Sequence, residues 1–370
     1  MQQRLLTTLP ELWKGFPTHI LELRKKLREH EVDAYVTLQN AHYLSGTSAA
    51  RSVIVSRRRS ILLCSRLELD RAQRESIIQD VRACSPSRVP LRRGEQAYFG
   101  KFEHLVARCL KELKASKIGY DRINPELLQK IREAYDAEYL KLPDLVWDLR
   151  KIKTKKEIRW LQKSAELAEN GIKRVAELIE EGRSEIEIAA EAEYAMRRAG
   201  SEGVSFNTIV ASGKNSWLPH AGATNKRLRR GELITVDLGA TYRGYASDMT
   251  RTFAIAPTRK QRKLLEVVKR AQNVAIKRVR SGTKAADIDR AVREVFKREG
   301  YERFCLHGTG HGVGLNIHEP PSLAPESKDV LHKGMVITVE PGIYVRGIGG
   351  ARWEDMLLVT AKGFKSLTHF

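Results

Sequence analysis

The chain has 370 residues, 42% of them apolar; it is too long for one ordinary compact domain and apolar enough to fill a sizeable core. Lys and Arg number 66 against 45 Asp and Glu, a formal charge of +21. The four cysteines, Cys64, Cys84, Cys109 and Cys305, stand far apart with no Cys-x-x-Cys pair. These counts exclude a disordered chain, a zinc knuckle and a redox dithiol, and fit reduced thiols in a cytoplasmic protein.

No run of about 18 apolar residues reads as a membrane span, and residues 1–14 lack the pattern of a secretory leader. The positive excess is +8 over residues 1–150 (27 basic against 19 acidic) and +13 over the rest (39 against 26). The basic runs Arg57-Arg58-Arg59, Lys151 to Lys156 and Lys226 to Arg230 lack the interleaved aromatic residues of a stacking platform. They read as solvated faces that attract polyanions in a salt-dependent way, with no specific nucleic-acid partner.

In chain order, Thr18 is placed to cap a helix to about His30, with Ile20, Leu21, Leu23 and Leu27 on one face. Ala34 to Leu38 reads as a strand, as do Ser52 to Ser56 and Ser60 to Cys64 around the Arg57-Arg58-Arg59 turn. Helical patterns follow at Glu68 to Ile78, Gln96 to Lys114 and Asn124 to Tyr135, with a strand at Lys117 to Tyr120. This alternation predicts an α/β domain. The pattern changes near Leu142 to Asp148, so the boundary is set at 148, giving domains 1–148 and 149–370. A charged stretch, Arg150 to Glu157, leads into a long helix through about Glu181 that Gly182 stops; a second runs from Ser184 to Arg198. Strands are expected at Leu233 to Ala240, Ala246 to Ile255, Val336 to Glu340 and Met356 to Thr360. Helices are expected at Arg259 to Arg280 and Ala285 to Arg298.

Two acids lie on apolar strands. Asp237 sits in Ile234-Thr235-Val236-Asp237-Leu238, where a bare carboxylate would be desolvated at a cost of several kcal/mol. Asp248 lies in the next strand, and a hairpin centred between Tyr242 and Arg243 would set the two face to face. Opposed like charges destabilise a ladder, and a cation between them reverses the sign. Next comes His307-Gly308-Thr309-Gly310-His311-Gly312-Val313-Gly314, with His318 close behind. Histidines among glycines, which allow close backbone approach, suggest a metal or ligand site. Glu340 ends an apolar strand before Pro341-Gly342, and Glu354 opens another. Four carboxylates and one neutral imidazole balance two divalent ions in charge. Such a set suits Mn, Co, Zn or Fe(II) better than copper, and paired ions make water nucleophilic at neutral pH.

These motifs extend to Leu218-Pro219-His220-Ala221, Ser247-Asp248-Met249-Thr250-Arg251-Thr252-Phe253, Ile337-Thr338-Val339-Glu340-Pro341-Gly342-Ile343-Tyr344 and Arg352-Trp353-Glu354-Asp355. In this order they resemble the pita-bread metallopeptidases, the proline-specific branch most closely. The resemblance covers most of residues 205 to 360; the first 145 residues match only in size and α/β pattern. It implies a creatinase/prolidase-like α/β N-terminal domain and an α+β pita-bread catalytic domain. It also implies two divalent metal ions, Mn favoured, held by Asp237, Asp248, His311, Glu340 and Glu354. Asp237 would chelate one ion, Asp248 and Glu354 would bridge both, and Glu340 would also relay a proton. His220 and His318 would face the substrate carbonyl, His307 would line the pocket, and Arg352 would orient carboxylates. A homodimer and a peptide substrate with proline in second position are implied as well.

Within that superfamily, methionine aminopeptidases usually lack an N-terminal domain, and creatinase-like or nucleic-acid-binding members lose ligands that are all present here. Two activities remain: Xaa-Pro aminopeptidase and Xaa-Pro dipeptidase. Many short prolidases carry an Arg four residues after the position of His318, thought to hold a dipeptide's carboxylate; this chain has Ser322. The expectation is therefore an aminopeptidase, with Arg346 or Lys226 as substitute cations if the chain is a dipeptidase.

Overall fold

The computed structural model describes residues 17–370 except Gly94 and Gln96. The segment read for a leader, residues 1–14, lies outside the described residues, as does Gln96. The chain divides into two compact units, Met1–Leu149 and Arg150–Phe370.

The first unit is built on one sheet. In chain order it holds α1 (Pro17–Glu29), β1 (Ala34–Thr37), α2 (Ala41–Ser45), β2 (Ser52–Ser56), β3 (Ser60–Ser65), α3 (Leu69–Glu75), β4 (Asp80–Ser85), β5 (Ala97–Phe99), α4 (Phe102–Glu112), β6 (Lys117–Tyr120), α5 (Pro125–Ala134) and β7 (Glu138–Lys141), followed by α6 (Asp144–Lys151). The strand order is β5-β4-β3-β2-β1-β6-β7. Only β2 runs antiparallel to its neighbours. Largely parallel strands are covered on both faces, which is why β1 and β2 are buried along their whole length. The arginine turn closes through Ser56 N donating to Arg59 O at 2.8 Å.

Three expectations shift. Thr18 lies within α1 rather than ahead of it. The helix expected from Gln96 begins at Phe102, because Ala97-Tyr98-Phe99 pairs in parallel with Ala83-Cys84-Ser85. Of the short strands expected between these helices only Lys117 to Tyr120 was placed; β4 and β7 had no assigned position, since neither presents a continuous apolar run, and β7 is an edge strand exposed at both ends.

The second unit is a duplicated layer. Its first half holds α7 (Lys155–Leu178), α8 (Glu185–Arg198), β8 (Gly203–Val204), β9 (Ile209–Ser212), β10 (Glu232–Leu238), β11 (Ala240–Tyr242), β12 (Tyr245–Ala246) and β13 (Met249–Ile255). Its second half holds α9 (Arg259–Ile276), α10 (Ala285–Arg298), β14 (Gly310–Gly312), β15 (Glu319–Leu323), β16 (Val336–Val339), β17 (Gly342–Val345), β18 (Gly349–Arg352), β19 (Asp355–Val359) and β20 (Phe364–Ser366). Capping boxes start three of the four helices: Thr154 with Glu157, Ser184 with Glu187, and Thr258 with Gln261. The long helix ends at Leu178, short of the expected Glu181. Each helix pair buries its apolar face on the central strands of its own half. Ile172, Val175, Ile188 and Met196 pack on Val210, Ile234 and Val236; Val267, Val268, Ile288 and Phe296 pack with Ile337, Val339 and Leu357.

The strands that bear the motifs approach one another closely. A Cβ on Gly310 would lie 2.1 Å from Thr338 O, whereas one on Gly363 would meet nothing within 4 Å. Gly310→Ala should therefore cost about 1–3 kcal/mol of stability through overpacking, and Gly363→Ala should stay within about 0.5 kcal/mol of wild type. Denaturant unfolding of the pair checks this; equal midpoints would contradict the packing described.

Candidate metal centre

Local sequence delivers the acids in a fixed pattern. β10 and β13 form an antiparallel ladder in which Asp237 lies opposite Thr250, not opposite Asp248 as the hairpin reading expected. The reason is the turn. Arg243 (φ +53°) and Gly244 (φ +75°) are the two left-handed residues of a tight hairpin, so it is centred one residue later than expected. Asp248 thus stands diagonal to Asp237, in the short break between β12 and β13. In the second half, β16 pairs with β19 through Val339 and Asp355. Continuing that register sets Glu340 opposite Glu354, just beyond the ladder. The direct opposition of acids is therefore realised at this pair.

These residues come together. Ligand atoms of Asp248, His311 and Glu354 lie within 4.8 Å of one another. His311 Nε2 is 3.5 Å from Asp248 Oδ2 and 3.3 Å from Glu340 Oε1. The other ring nitrogen, Nδ1, is 3.0 Å from Gly312 O, which fixes a proton there and turns Nε2 inward, where it donates to the acids when protonated and can ligate a cation when neutral. Asp237 and Glu354 each have one oxygen gripped and one without a hydrogen-bond partner among the described residues. Arg352 Nη2 donates to Asp237 Oδ2 at 2.7 Å, and Thr250 Oγ1 donates to Glu354 Oε2 at 2.7 Å. Asp237 Oδ1 and Glu354 Oε1 are the buried, unpartnered atoms. Buried carboxylate oxygens left bare in a cluster of acids fit divalent cations.

The electrostatics agree. Burial, then the charges of Glu354, Asp237 and Glu340, push the Asp248 carboxyl well above the usual range. Burial and the charges of Glu340 and Asp237 do the same to Glu354. Glu340 goes the other way. Burial opposes its ionisation, but the bond to His311 and that ring's charge bring it down to about 2. His311 is correspondingly raised; burial disfavours its charge, and Glu340 outweighs burial.

Three residues around this cluster were not singled out from sequence: Thr250, Thr338 and Tyr344. All three belong to motifs already quoted, and Thr250 stands two residues from Asp248, the spacing of one strand face. Thr338 Oγ1 accepts from His311 N at 3.1 Å. Tyr344 joins a relay: Arg352 Nη1 donates to its oxygen at 2.5 Å, its hydroxyl is 2.9 Å from His307 Nε2, and His307 Nδ1 is 2.7 Å from Gly308 O. His307 is thus held within a hydrogen-bonded chain, and burial lowers its basicity. The His318 ring meets that of His311 edge-on, centroids 4.4 Å apart. His220 is exposed, and its charge bears on both His307 and His318.

Residues 159–361 match metallopeptidase family M24, and residues 19–152 match the creatinase/prolidase N-terminal domain. A curated relative, the Xaa-Pro dipeptidase of Pyrococcus furiosus, is 37% identical over 94% of this chain and 96% of its own length. The Xaa-Pro dipeptidase structure from Bacillus anthracis superposes with a TM-score of 0.88 at 33% identity, covering 96% of this chain and 98% of that one. The X-Pro aminopeptidase structure from Thermotoga maritima MSB8 gives a TM-score of 0.83 at 30% identity, covering 94% and 98%. The chain belongs to metallopeptidase family M24, in the proline-specific branch of the pita-bread enzymes, with a creatinase/prolidase N-terminal domain.

Proposed function

We propose that this hydrolase is an Xaa-Pro dipeptidase. The observation that carries the reading is the convergence of Asp237, Asp248, His311, Glu340 and Glu354, with Asp237 Oδ1 and Glu354 Oε1 buried and bare. Family membership implies divalent metal ions; these five residues would hold two of them, manganese being our first choice. When bound, the ions supply Lewis-acid polarisation of the scissile carbonyl and a water acidic enough to attack at neutral pH. The chain's own groups do the rest. Glu340, ionised and beside His311, takes and returns a proton. His220 and His318 donate hydrogen bonds to the substrate carbonyl as charge develops on it. Arg352 holds Asp237 by a charge-assisted bond, so the free oxygen keeps its direction. We further propose a cytoplasmic homodimer.

The preference for an aminopeptidase rested on Ser322. Two findings move the balance to the dipeptidase alternative. The relative from Pyrococcus furiosus and the structure from Bacillus anthracis both bear the name Xaa-Pro dipeptidase. Moreover, an exposed arginine stands beside the loop that carries His220, and we propose it as the cation for the dipeptide's carboxylate. Lys226 does not serve, because its Nζ is bound to Glu232 Oε2 at 2.6 Å and Ser212 Oγ at 2.7 Å. Arg346 is exposed, makes no ion pair among the described residues, and lies 6.0 Å over the ring of Trp217 on the loop that carries His220.

Three outcomes follow. An Xaa-Pro dipeptide should be cleaved about tenfold more efficiently than the same sequence extended by two residues, the worth of one charge-assisted hydrogen bond; faster cleavage of the extended peptide restores the aminopeptidase reading. Arg346→Gln should lower kcat/KM for the dipeptide by about tenfold and leave the extended peptide unchanged; an equal loss on both substrates would remove Arg346 from carboxylate binding.

The third concerns pH. Asp248, Glu354 and His311 have folded-state pKa values above their unfolded ones. Such groups lend stability that is full below the unfolded value and is lost as pH rises through the folded one. Glu340, held at about 2, is ionised throughout this window. The metal-free protein should lose stability as pH climbs from about 4 to neutrality, while manganese, replacing the protons, removes that loss. Thermal midpoints with chelator and with manganese should diverge from pH 5 to pH 8; a constant gap would contradict the assignment.

A further inference from the structure

Three buried carboxylates stand outside the cluster of acids and fasten the segments that carry His307, His318 and His220. Asp289 Oδ1 accepts from Thr309 N at 3.1 Å and from Thr309 Oγ1 at 2.9 Å, two residues from His307. Glu319, next to His318, takes Arg150 and, at 3.5 Å, Lys153 Nζ, and accepts from Asn316 N at 3.0 Å. Glu185 is the most heavily bonded of the three.

Glu185 is the first residue of α8 and is fully buried. One of its oxygens accepts from Ser212 N and Ser212 Oγ, both at 2.7 Å, and from Asn215 Nδ2 at 3.2 Å. The other accepts from Asn215 Nδ2 at 3.1 Å, Thr224 N at 3.1 Å and Thr224 Oγ1 at 2.6 Å. Ser212 ends β9, and Thr224 lies past His220. Both ends of the segment from Gly213 to Ala223 are therefore tied to one carboxylate. Two hydrogen bonds tie the segment to the second half of the unit: Arg352 Nη1 donates to Pro219 O at 3.2 Å, and Gly350 N donates to Ser216 Oγ at 2.9 Å. No helix or strand lies within it to hold its shape.

Every hydrogen bond to the Glu185 side chain is a donation into one of its two oxygens, and its backbone N–H adds a bond to Lys226 O at 3.0 Å. A glutamine there would turn an NH₂ toward donors at one end of the loop. Glu185 itself touches no ligand residue. We propose that Glu185 is a positioning residue for His220: it fixes both ends of the loop so that the imidazole is presented to the substrate. The inference rests on the reading of this chain as an Xaa-Pro peptidase with His220 at the substrate.

Glu185→Gln, His220→Ala and the double variant test it, with metal affinity measured by calorimetry beside kcat and KM. Glu185→Gln should lower kcat about a hundredfold, as a misplacement near 1 Å does, with manganese affinity and stoichiometry unchanged. In the His220→Ala background the same change should cost nothing further. An equal loss in both backgrounds, or loss of metal, would make Glu185 a general structural residue and overturn the proposal. Should Glu185→Gln fail to fold, Thr224→Val removes one donor and keeps the carboxylate. Its kcat should fall by a smaller factor, again only where His220 is present; no fall, or the same fall without His220, overturns the proposal equally. A wild type inactive on every Xaa-Pro peptide would refute the underlying reading, whereas an active wild type matched by Glu185→Gln refutes only the role of Glu185.

Discussion

The constraint on which the catalytic unit depends is the crowding of negative charge. Asp237, Asp248, Glu340 and Glu354 are buried or nearly so, within reach of one another's charge, in a place where water does little to screen them. Without cations the cluster resolves the conflict by division. Asp248 and Glu354 are driven toward their neutral forms, while Glu340 shares charge with His311. Such an arrangement does not help the fold by itself. It makes sense as a binding site whose ligand carries positive charge, since replacing held protons by divalent ions converts repulsion into attraction.

The fold meets this constraint by duplication. In each half a helix pair covers a sheet, and an antiparallel strand pair supplies one acid near the end of its first strand and one just before its second: Asp237 and Asp248 from β10 and β13, Glu340 and Glu354 from β16 and β19. The halves are joined by one backbone bond, Glu354 N donating to Thr250 O at 3.2 Å, and by Arg352 N donating to the side-chain Oγ1 of Thr252 at 3.0 Å. Carboxylates on a strand or directly beside one, rather than on free loops, are set by ladder register, and that rigidity keeps like charges together at all.

Much of this was legible in the sequence because burial and chemistry leave opposite marks on it. An acid inside an apolar strand, as at Asp237, or histidines among glycines, as at His307 and His311, break the local pattern and draw attention. Helix extents were legible too, as at Ser184 to Arg198 and Ala285 to Arg298, whereas caps were not: Thr18, the one read, lies inside its helix, and the boxes at Thr154, Ser184 and Thr258 were not singled out. What was not legible depends on geometry between segments. The hairpin centre was misplaced because Arg243 adopts a left-handed conformation usually left to glycine or asparagine. Tyr98 and its neighbours read as helix because a three-residue strand takes its identity from the partner it pairs with. Thr250 and Tyr344 carry no charge, so nothing in composition marks them as supports of Glu354 and His307. The choice between two proline-specific activities hung on one missing arginine at Ser322, and a cation can reach a substrate from a different segment altogether.

Arg352 shows how few groups connect the parts of this site. Its guanidinium is buried, and the charges of Asp237 and Glu340 keep it protonated against that burial. Nη2 serves Asp237, Nε serves Thr250 Oγ1 at 3.1 Å, and Nη1 serves both Tyr344 and Pro219 O. One planar fork thus touches an acid of the cluster, the hydroxyl that steadies Glu354, the phenol bound to His307, and the loop that carries His220. A lysine could not replace it, because a single ammonium lacks the reach and the fixed angles to satisfy partners on three sides. The consequence is that the direction of the acids and the position of the His220 loop are not independent. A shift of the guanidinium moves both, so the two sides of the site are aligned by the same side chain that neutralises part of its charge.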